Sequence, residues 1–376
     1  MKIARVDAIP VRLPMRRPMK MAGVVIDVAE NLLVRVQADN GLVGWGESAS
    51  APTMTGELLP GMTAAVHHLT PTLHGATIED VAGLHAMTAR CHLALHGNAS
   101  AHAAIDMALH DLLGQALQQP VHMLLGTALR QHVPVLWMLG TGRLDADLAE
   151  ARDKAAAGCV AFKVKVGADD PLADAVRTRA VRAALGPRVL VCADANQGWT
   201  LQQAQAYLAA LGDTALDFLE QPLRGDDLQG MQQLAACTTV RIGADEGIHG
   251  LADIRQHHAM QAAAGCSLKL IKLGGMRQVL DAALACSALG MRVNLACKVA
   301  ESSIASAAVL HLAAVLPEID WGLSLSTQYL AGDVVLQPIG VAQGHASVPT
   351  GPGLGVVVDE ANVARFRIAT FTPSAP

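Results

Sequence analysis

From residue 133 to residue 324 the chain alternates short β-rich runs with Ala-rich stretches long enough for a helix. The runs are VPVLWML, VAFKVKVG, RVLVCADAN, LDFLEQP, VRIGADE, CSLKLIK, RVNLACK and IDWGLS. Eight strands, nearly all followed by a helix, predict a parallel β/α barrel. An open doubly wound sheet is the alternative, but no glycine-rich dinucleotide fingerprint follows any of the runs. The charged residues in these runs keep the same rhythm. From Lys165 to Asp194 is 29 residues, to Glu220 a further 26, to Asp245 25 and to Lys269 24. A barrel of roughly 250 residues divided among eight units gives a unit of about this length. Each charge therefore recurs once per unit near the carboxyl end of its strand, where barrel active sites are built.

Taken singly, each of these acids has an ordinary reading. Asp194 can cap the next helix, Glu220 before Gln221 and Pro222 can mark a turn, and Asp245 with Glu246 can be a solvated loop. Three acids in phase at one mouth repel one another unless a cation lies between them. An all-oxygen donor set favours a hard ion, Mg²⁺, with Mn²⁺ as the alternative. Lys163 and Lys165 alternate in AFKVKVG and so share one strand face, opposite Phe162, Val164 and Val166. In isolation such a pair reads as a solvated edge; in phase with the acids it turns toward the mouth. The second and sixth strands are opposite in an eight-strand ring, so Lys165 and Lys269 are expected to face each other across a substrate. Lys163 is the neighbouring charge expected to lower the pKa of Lys165, making it a base near neutral pH. The implied chemistry is removal of the α-proton of a carboxylate to give an enolate.

The runs Lys163-Val164-Lys165, Asp194-Ala195-Asn196, Glu220-Gln221-Pro222 and Ala244-Asp245-Glu246, with KLIKLGG from Lys269 to Gly275, resemble the motif series of the enolase superfamily. More narrowly they resemble its muconate-lactonising subgroup, and less its mandelate-racemase subgroup, which uses a histidine after strand seven in place of Lys269. GLVGWGE and AAIDMALHDLLG look like the family's capping domain, and PTGPGLG like its C-terminal return. The resemblance implies a modified TIM-type (β/α)7β barrel with an α+β capping domain formed by the N-terminal region and the C-terminal tail. The expected divisions are 1–130 for the cap, 131–345 for the barrel and 346–376 for the returning segment. It also implies catalytic Lys165 and Lys269 with auxiliary Lys163, metal ligands Asp194, Glu220 and Asp245, and a homo-oligomer.

The reaction expected is an isomerisation, either a muconate-type cycloisomerisation or racemisation or epimerisation of an amino-acid derivative. β-Elimination on the same site is the alternative. A Schiff-base aldolase using Lys269 or Lys165 leaves the three phased acids unexplained, and a non-catalytic binding protein leaves the whole charged set unexplained. Further substrate contacts are assigned to Asn196, to Lys298 and Glu301 in ACKVAES, and to Met54. Pairing of Lys298 with Glu301 is an equal reading, Lys272 is expected on the strand face opposite Lys269, and Glu246 behind its neighbouring ligand. Specificity is expected from capping loops at 17–25 and 50–57.

The N-terminal part predicts an α+β layout, with a strand near 2–13, a hairpin turning at Asp39-Asn40-Gly41, and helices from about 55 to 127. The chain is 376 residues long, 52% apolar and 16% charged, which supplies a large core and argues against disorder. A formal charge of −5 without a basic cluster gives no reason to expect nucleic acid or a membrane surface as partner. Seven cysteines without a C-x-x-C pair read as buried reduced thiols. The N-terminus lacks the apolar block of a signal peptide, so a cytoplasmic protein acting on a small carboxylate is expected.

Overall fold

The structure, a computed structural model, describes residues 1–21 and 23–368. Three antiparallel strands open the chain: β1 (Ile3–Met21), β2 (Val24–Ala38) and β3 (Val43–Ala49). Gly41 completes the expected turn between β2 and β3 at φ +87°, a left-handed conformation that glycine adopts without strain. Helices Leu59–Leu73, Val81–Ala94 and Ala99–Leu117 pack on this sheet through Leu32, Val34 and Val36 of β2.

Most of the loop expected at 17–25 is strand. β1 and β2 stay paired through Met19 with Ile26 and Met21 with Val24, because the alternation of the hairpin continues past Pro14 after a register shift. Ala22 lies outside the described residues. This long arm brings Met19 against Met138 and Tyr329 of the second unit, where all three are buried.

That second unit is one eight-stranded parallel sheet. Its strands are β4 (Leu136–Leu139), β5 (Ala161–Lys165), β6 (Leu190–Asp194), β7 (Leu219–Glu220), β8 (Ile242–Ala244), β9 (Gly265–Leu268), β10 (Arg292–Ala296) and β11 (Leu323–Ser324). They are ordered sequentially in space, and a parallel bridge from Val135 to Leu323 brings the last strand back to the first. Each of the first seven strands is followed by a helix, so the fold is the (β/α)7β barrel. Every one of the eight predicted runs overlaps one of the strands.

Two sequence-level details differ. CSLKLIK is strand only to Leu268; Lys269 then caps a helical turn, Leu270–Leu273, so Lys272 is not on the opposite face of a strand. Of the seven cysteines, all reduced, Cys237 is exposed and the other six are buried. After the barrel, His345–Ser347 pairs with His132–Pro134, and helix Glu360–Phe366 returns to β1, where Val11 bridges Arg367. The last eight residues of the expected C-terminal segment, 369–376, lie outside the described residues. No helix of the described residues is long and apolar enough to cross a membrane.

The barrel is plugged at its amino end. Trp321 stacks on Phe218 with ring centroids 4.1 Å apart, in a cluster with Leu136, Ala161 and Cys192. A Cβ at Gly265 would lie 2.5 Å from both the Trp321 ring and the Arg292 carbonyl oxygen. The floor therefore excludes a side chain at this position. Gly265→Ala is expected to lower stability by about 2–3 kcal/mol, measured as the urea midpoint with an unchanged slope.

Candidate active site

Parallel register sets the site. Lys165 is level with Asp194, Asp194 with Glu220, and Glu220 with Gly243, two residues before Asp245. Side chains two apart in a strand share a face and neighbouring strands lie about 4.8 Å apart, so adjacent strands bring their terminal charges together. Asp194, Glu220 and Asp245 are each at most 2% exposed. Each is met by ammonium groups. Lys165 Nζ donates to Asp194 Oδ2 at 2.5 Å, Lys163 pairs with Glu220, and Lys269 and Lys272 both pair with Asp245. Burial pushes the Asp194 and Asp245 carboxyls up, but Lys165 with Lys163, and Lys269 with Lys272, outweigh it and leave both lowered. In the same way burial pulls Lys163 and Lys269 down, and Glu220 and Asp245 respectively leave them raised.

Arg177 fixes the end of β5. Its guanidinium donates to the Lys165 carbonyl, to Asp174 at 2.7 Å and to Asp147 at 2.7 Å. Asn196 sits at φ +42° in the left-handed region, which asparagine tolerates. Its Oδ1 accepts from Lys165 Nζ at 2.6 Å, and its Nδ2 donates to Glu246 Oε1 at 3.1 Å. Both ends of the amide are thus taken by protein partners. Glu246 lines the cavity and is pushed up to about 8 by burial, then by Asp245 and Asp194.

These groups open on a cavity of about 430 Å³. Lys163, Lys165, Lys269 and Lys298 share its wall with Asp194, and Val24, Thr53 and Met54 close it from the capping side. Both regions expected to shape specificity therefore contribute to it. Met54 Sδ is 3.8 Å from Lys269 Nζ. Lys298 and Glu301 do not form the side-chain ion pair that was the equal reading. Glu301 Oε2 instead accepts the backbone N–H of Lys298 at 2.8 Å.

As placed, no three His, Cys, Asp or Glu side chains among the described residues form a cluster that grips an ion, since each acid is turned to an ammonium group. The donor chemistry nonetheless fits a hard divalent cation: three buried carboxylates, all oxygen donors, at the ends of three consecutive strands.

Several positioning groups escape sequence reading. Lys272 donates to Asp245 Oδ1 at 2.6 Å and to the Ser267 carbonyl at 2.9 Å. Ser267 donates to Glu220 Oε1 at 2.7 Å, and Gln221 Oε1 accepts the backbone N–H of Asp245 at 2.7 Å. The signal for Gln221 lay in the quoted Glu-Gln-Pro run; an isolated serine carries none. Glu47 of β3 is fully buried and reaches across to the barrel, accepting from the backbone N–H and hydroxyl of Ser302 and from the Ala305 N–H. It caps the helix Ser303–Val315 and ties the cap to the segment after β10.

Two family models match the chain: the mandelate racemase / muconate lactonizing enzyme N-terminal domain over residues 4–126, and the enolase C-terminal domain-like family over 146–362. A chloromuconate cycloisomerase of Pseudomonas sp. (strain P51) is 32% identical, covering 98% of this chain and 100% of that one. An L-Ala-D/L-Glu epimerase of Bacillus subtilis (strain 168) is 30% identical over 95% of this chain and 97% of its own. Among solved structures, a muconate lactonizing enzyme from Pseudomonas fluorescens complexed with muconolactone superposes with a TM-score of 0.91. It is 30% identical and covers 97% of this chain and 99% of that one.

Burial, followed by repulsion from Glu47, pushes Glu301 up from 4.5 to about 8, and burial pushes Glu47 up to about 7. A carboxyl that holds its proton more tightly when folded contributes stability in full below its unfolded pKa. That contribution is lost as pH rises through the folded value. Both groups therefore make the protein less stable at pH 8 than at pH 5. Glu301→Gln is expected to narrow that difference in denaturant midpoint, whereas an unchanged difference would show that Glu301 ionises normally.

Proposed function

The chain belongs to the mandelate racemase / muconate lactonizing enzyme family, and from that premise we propose an isomerase that moves the α-proton of a small carboxylate through an enolate. The observation that carries this reading is the arrangement of Lys165 and Lys269. They end the second and sixth strands of an eight-strand ring, both line one cavity, and each touches a carboxylate of the Asp194–Glu220–Asp245 set.

Asp194, Glu220 and Asp245 are the residues that would hold a divalent cation, Mg²⁺ by its preference for oxygen donors, with Mn²⁺ as the alternative. Bound there, such an ion supplies electrophilic stabilisation of the negative charge that builds on the substrate carboxylate as its α-proton leaves. The side chains do the rest. Lys165 and Lys269 approach the α-carbon from opposite sides, one as base and the other as acid. Asn196, bonded to Lys165 and Glu246, holds the first ammonium in register. Met54 and Val24 exclude water from the wall nearest the capping sheet. Return of the proton from the opposite side inverts the carbon, giving racemisation or epimerisation. Cycloisomerisation needs one lysine and the same enolate; it is supported by the cycloisomerases among the relatives, as the first reading is by the epimerase.

The test is exchange of α-hydrogen in D₂O across N-acyl amino acids, dipeptides and muconates. Exchange with at least one class is expected, lost in EDTA and restored by Mg²⁺. Lys165→Ala and Lys269→Ala should each reduce isomerisation by about 10²–10⁴-fold, the usual contribution of a positioned acid or base. Full activity in either variant would overturn the two-lysine reading, and a borohydride-trapped adduct on either lysine would overturn proton transfer through an enolate.

A further inference from the structure

The three acids at the barrel mouth share a pattern of contacts. One oxygen of each meets a lysine that lines the cavity: Asp194 Oδ2 meets Lys165, Glu220 Oε2 meets Lys163 and Asp245 Oδ2 meets Lys269. The other oxygen of each is taken by a donor fixed in the fold. Asp194 Oδ1 accepts the Asn196 backbone N–H at 3.0 Å. Glu220 Oε1 accepts the Ser267 hydroxyl at 2.7 Å, and Asp245 Oδ1 accepts from Lys272 Nζ at 2.6 Å.

Two of these three donors are side chains, and neither lines the cavity. Ser267 and Lys272 are each 1% exposed, so neither reaches a substrate. Ser267 is held in β9, level with Asn294 of β10. Its hydroxyl has two neighbours, and its one proton goes to Glu220, because Asn294 Oδ1 is uncharged and farther away at 3.2 Å. Lys272 is brought back to Asp245 by the helical turn Leu270–Leu273. It gives its three protons to Asp245 Oδ1, to the Asp245 carbonyl and, at 2.9 Å, to the Ser267 carbonyl. Lys272 is thus tied to Ser267 and Ser267 to Glu220, and the two donors brace two carboxylates as one unit.

A bidentate grip needs both oxygens of a carboxylate free to turn to one ion. With one oxygen held by a buried donor, each acid has a single oxygen left to offer. Single oxygens from three acids suit Mg²⁺, which demands a compact octahedral shell and keeps positions for water and substrate. Ca²⁺ is larger and takes more oxygens, often both from one carboxylate.

We propose that Ser267 and Lys272 are positioning residues that limit Glu220 and Asp245 to one metal-facing oxygen each, and that this limit makes the site choose Mg²⁺ or Mn²⁺ over Ca²⁺. The inference rests on the reading of Asp194, Glu220 and Asp245 as the ligands of a divalent cation. It adds two residues outside the cavity that govern which ion is held, not which substrate. Loss of the Ser267 hydroxyl frees Glu220 Oε1, and the carboxylate then turns both oxygens to the larger ion. Loss of the Lys272 ammonium does the same at Asp245 and also removes a positive charge, which tightens every divalent ion. The ratio of two affinities separates the choice of ion from that general effect.

The EPR signal of free Mn²⁺, followed in the whole chain without substrate, gives the affinities of Mg²⁺ and Ca²⁺ by competition. Wild type is expected to hold Mg²⁺ more tightly than Ca²⁺. Ser267→Ala should move the affinity ratio toward Ca²⁺ by about tenfold and alter the zero-field splitting of bound Mn²⁺. Lys272→Met should move the ratio the same way while tightening both ions; if that variant does not fold, Ser267→Ala decides alone. A role confined to stability would lower the urea midpoint of Ser267→Ala and leave its ratio and bound-Mn²⁺ spectrum as in wild type. That result overturns the proposal, as does a wild type that prefers Ca²⁺. Absence of Mn²⁺ binding in wild type, or binding that Glu220→Gln and Asp245→Asn leave untouched, overturns the ligand set itself and the inference with it.

Discussion

Asp194, Glu220 and Asp245 carry three negative charges into a space from which water is nearly excluded. Ions of this kind cost several kcal/mol each to desolvate unless charge of the other sign lies within contact distance. Here Lys163, Lys165, Lys269 and Lys272 supply it, each paired to one of the carboxylates. Removal of any one partner leaves an uncompensated charge at the barrel mouth. This reciprocity explains why so much surrounding structure is spent on orientation: Arg177 on the end of β5, Gln221 on the backbone of Asp245, and Ser267 on Glu220.

The barrel mouth is also where the two halves of the molecule meet. The hairpin arm of β1 and β2 lays Met19 over Met138 and Tyr329, and the segment 50–57 brings Met54 to Lys269. Below them Glu47 and Asn31, both buried, reach from the capping sheet into the turn after β10. The bonds of this junction go to backbone groups and fix the course of the chain, whereas the methionines fill space and leave the cavity wall adaptable. Selectivity and catalysis are thereby separated: strand ends of the barrel hold the reacting groups, and cap and late strands shape what lies beyond them.

Much of this was legible along the chain because a β/α barrel translates sequence period into angular position. A charge repeated every 24 to 29 residues at strand ends must return to one rim, whatever the helices between look like. The eight runs and the turn at Gly41 follow from equally local rules. Where the reading departed from the structure, the cause was non-local. KLIKLGG has the composition of a strand but turns helical at Leu270, and that turn sends Lys272 back to Asp245. Residues 19–21 follow two prolines, Pro14 and Pro18, yet they pair with β2 because a partner strand of matching alternation is present.

The sequence by itself determined the barrel, the family and the phase of the charged residues, since strand alternation and unit length are properties of neighbouring residues. Tertiary structure alone decided which ammonium meets which carboxylate, that Asn196 spends its amide on Lys165 and Glu246, and that Glu301 faces a backbone N–H. It also decided that, among the described residues, the Lys298 ammonium makes no ion pair and the Ser324 hydroxyl no hydrogen bond. Such pairings depend on distances of a few ångströms between segments far apart in the chain, and at that range a shift of one side chain decides whether a charge is compensated or free to bind a ligand.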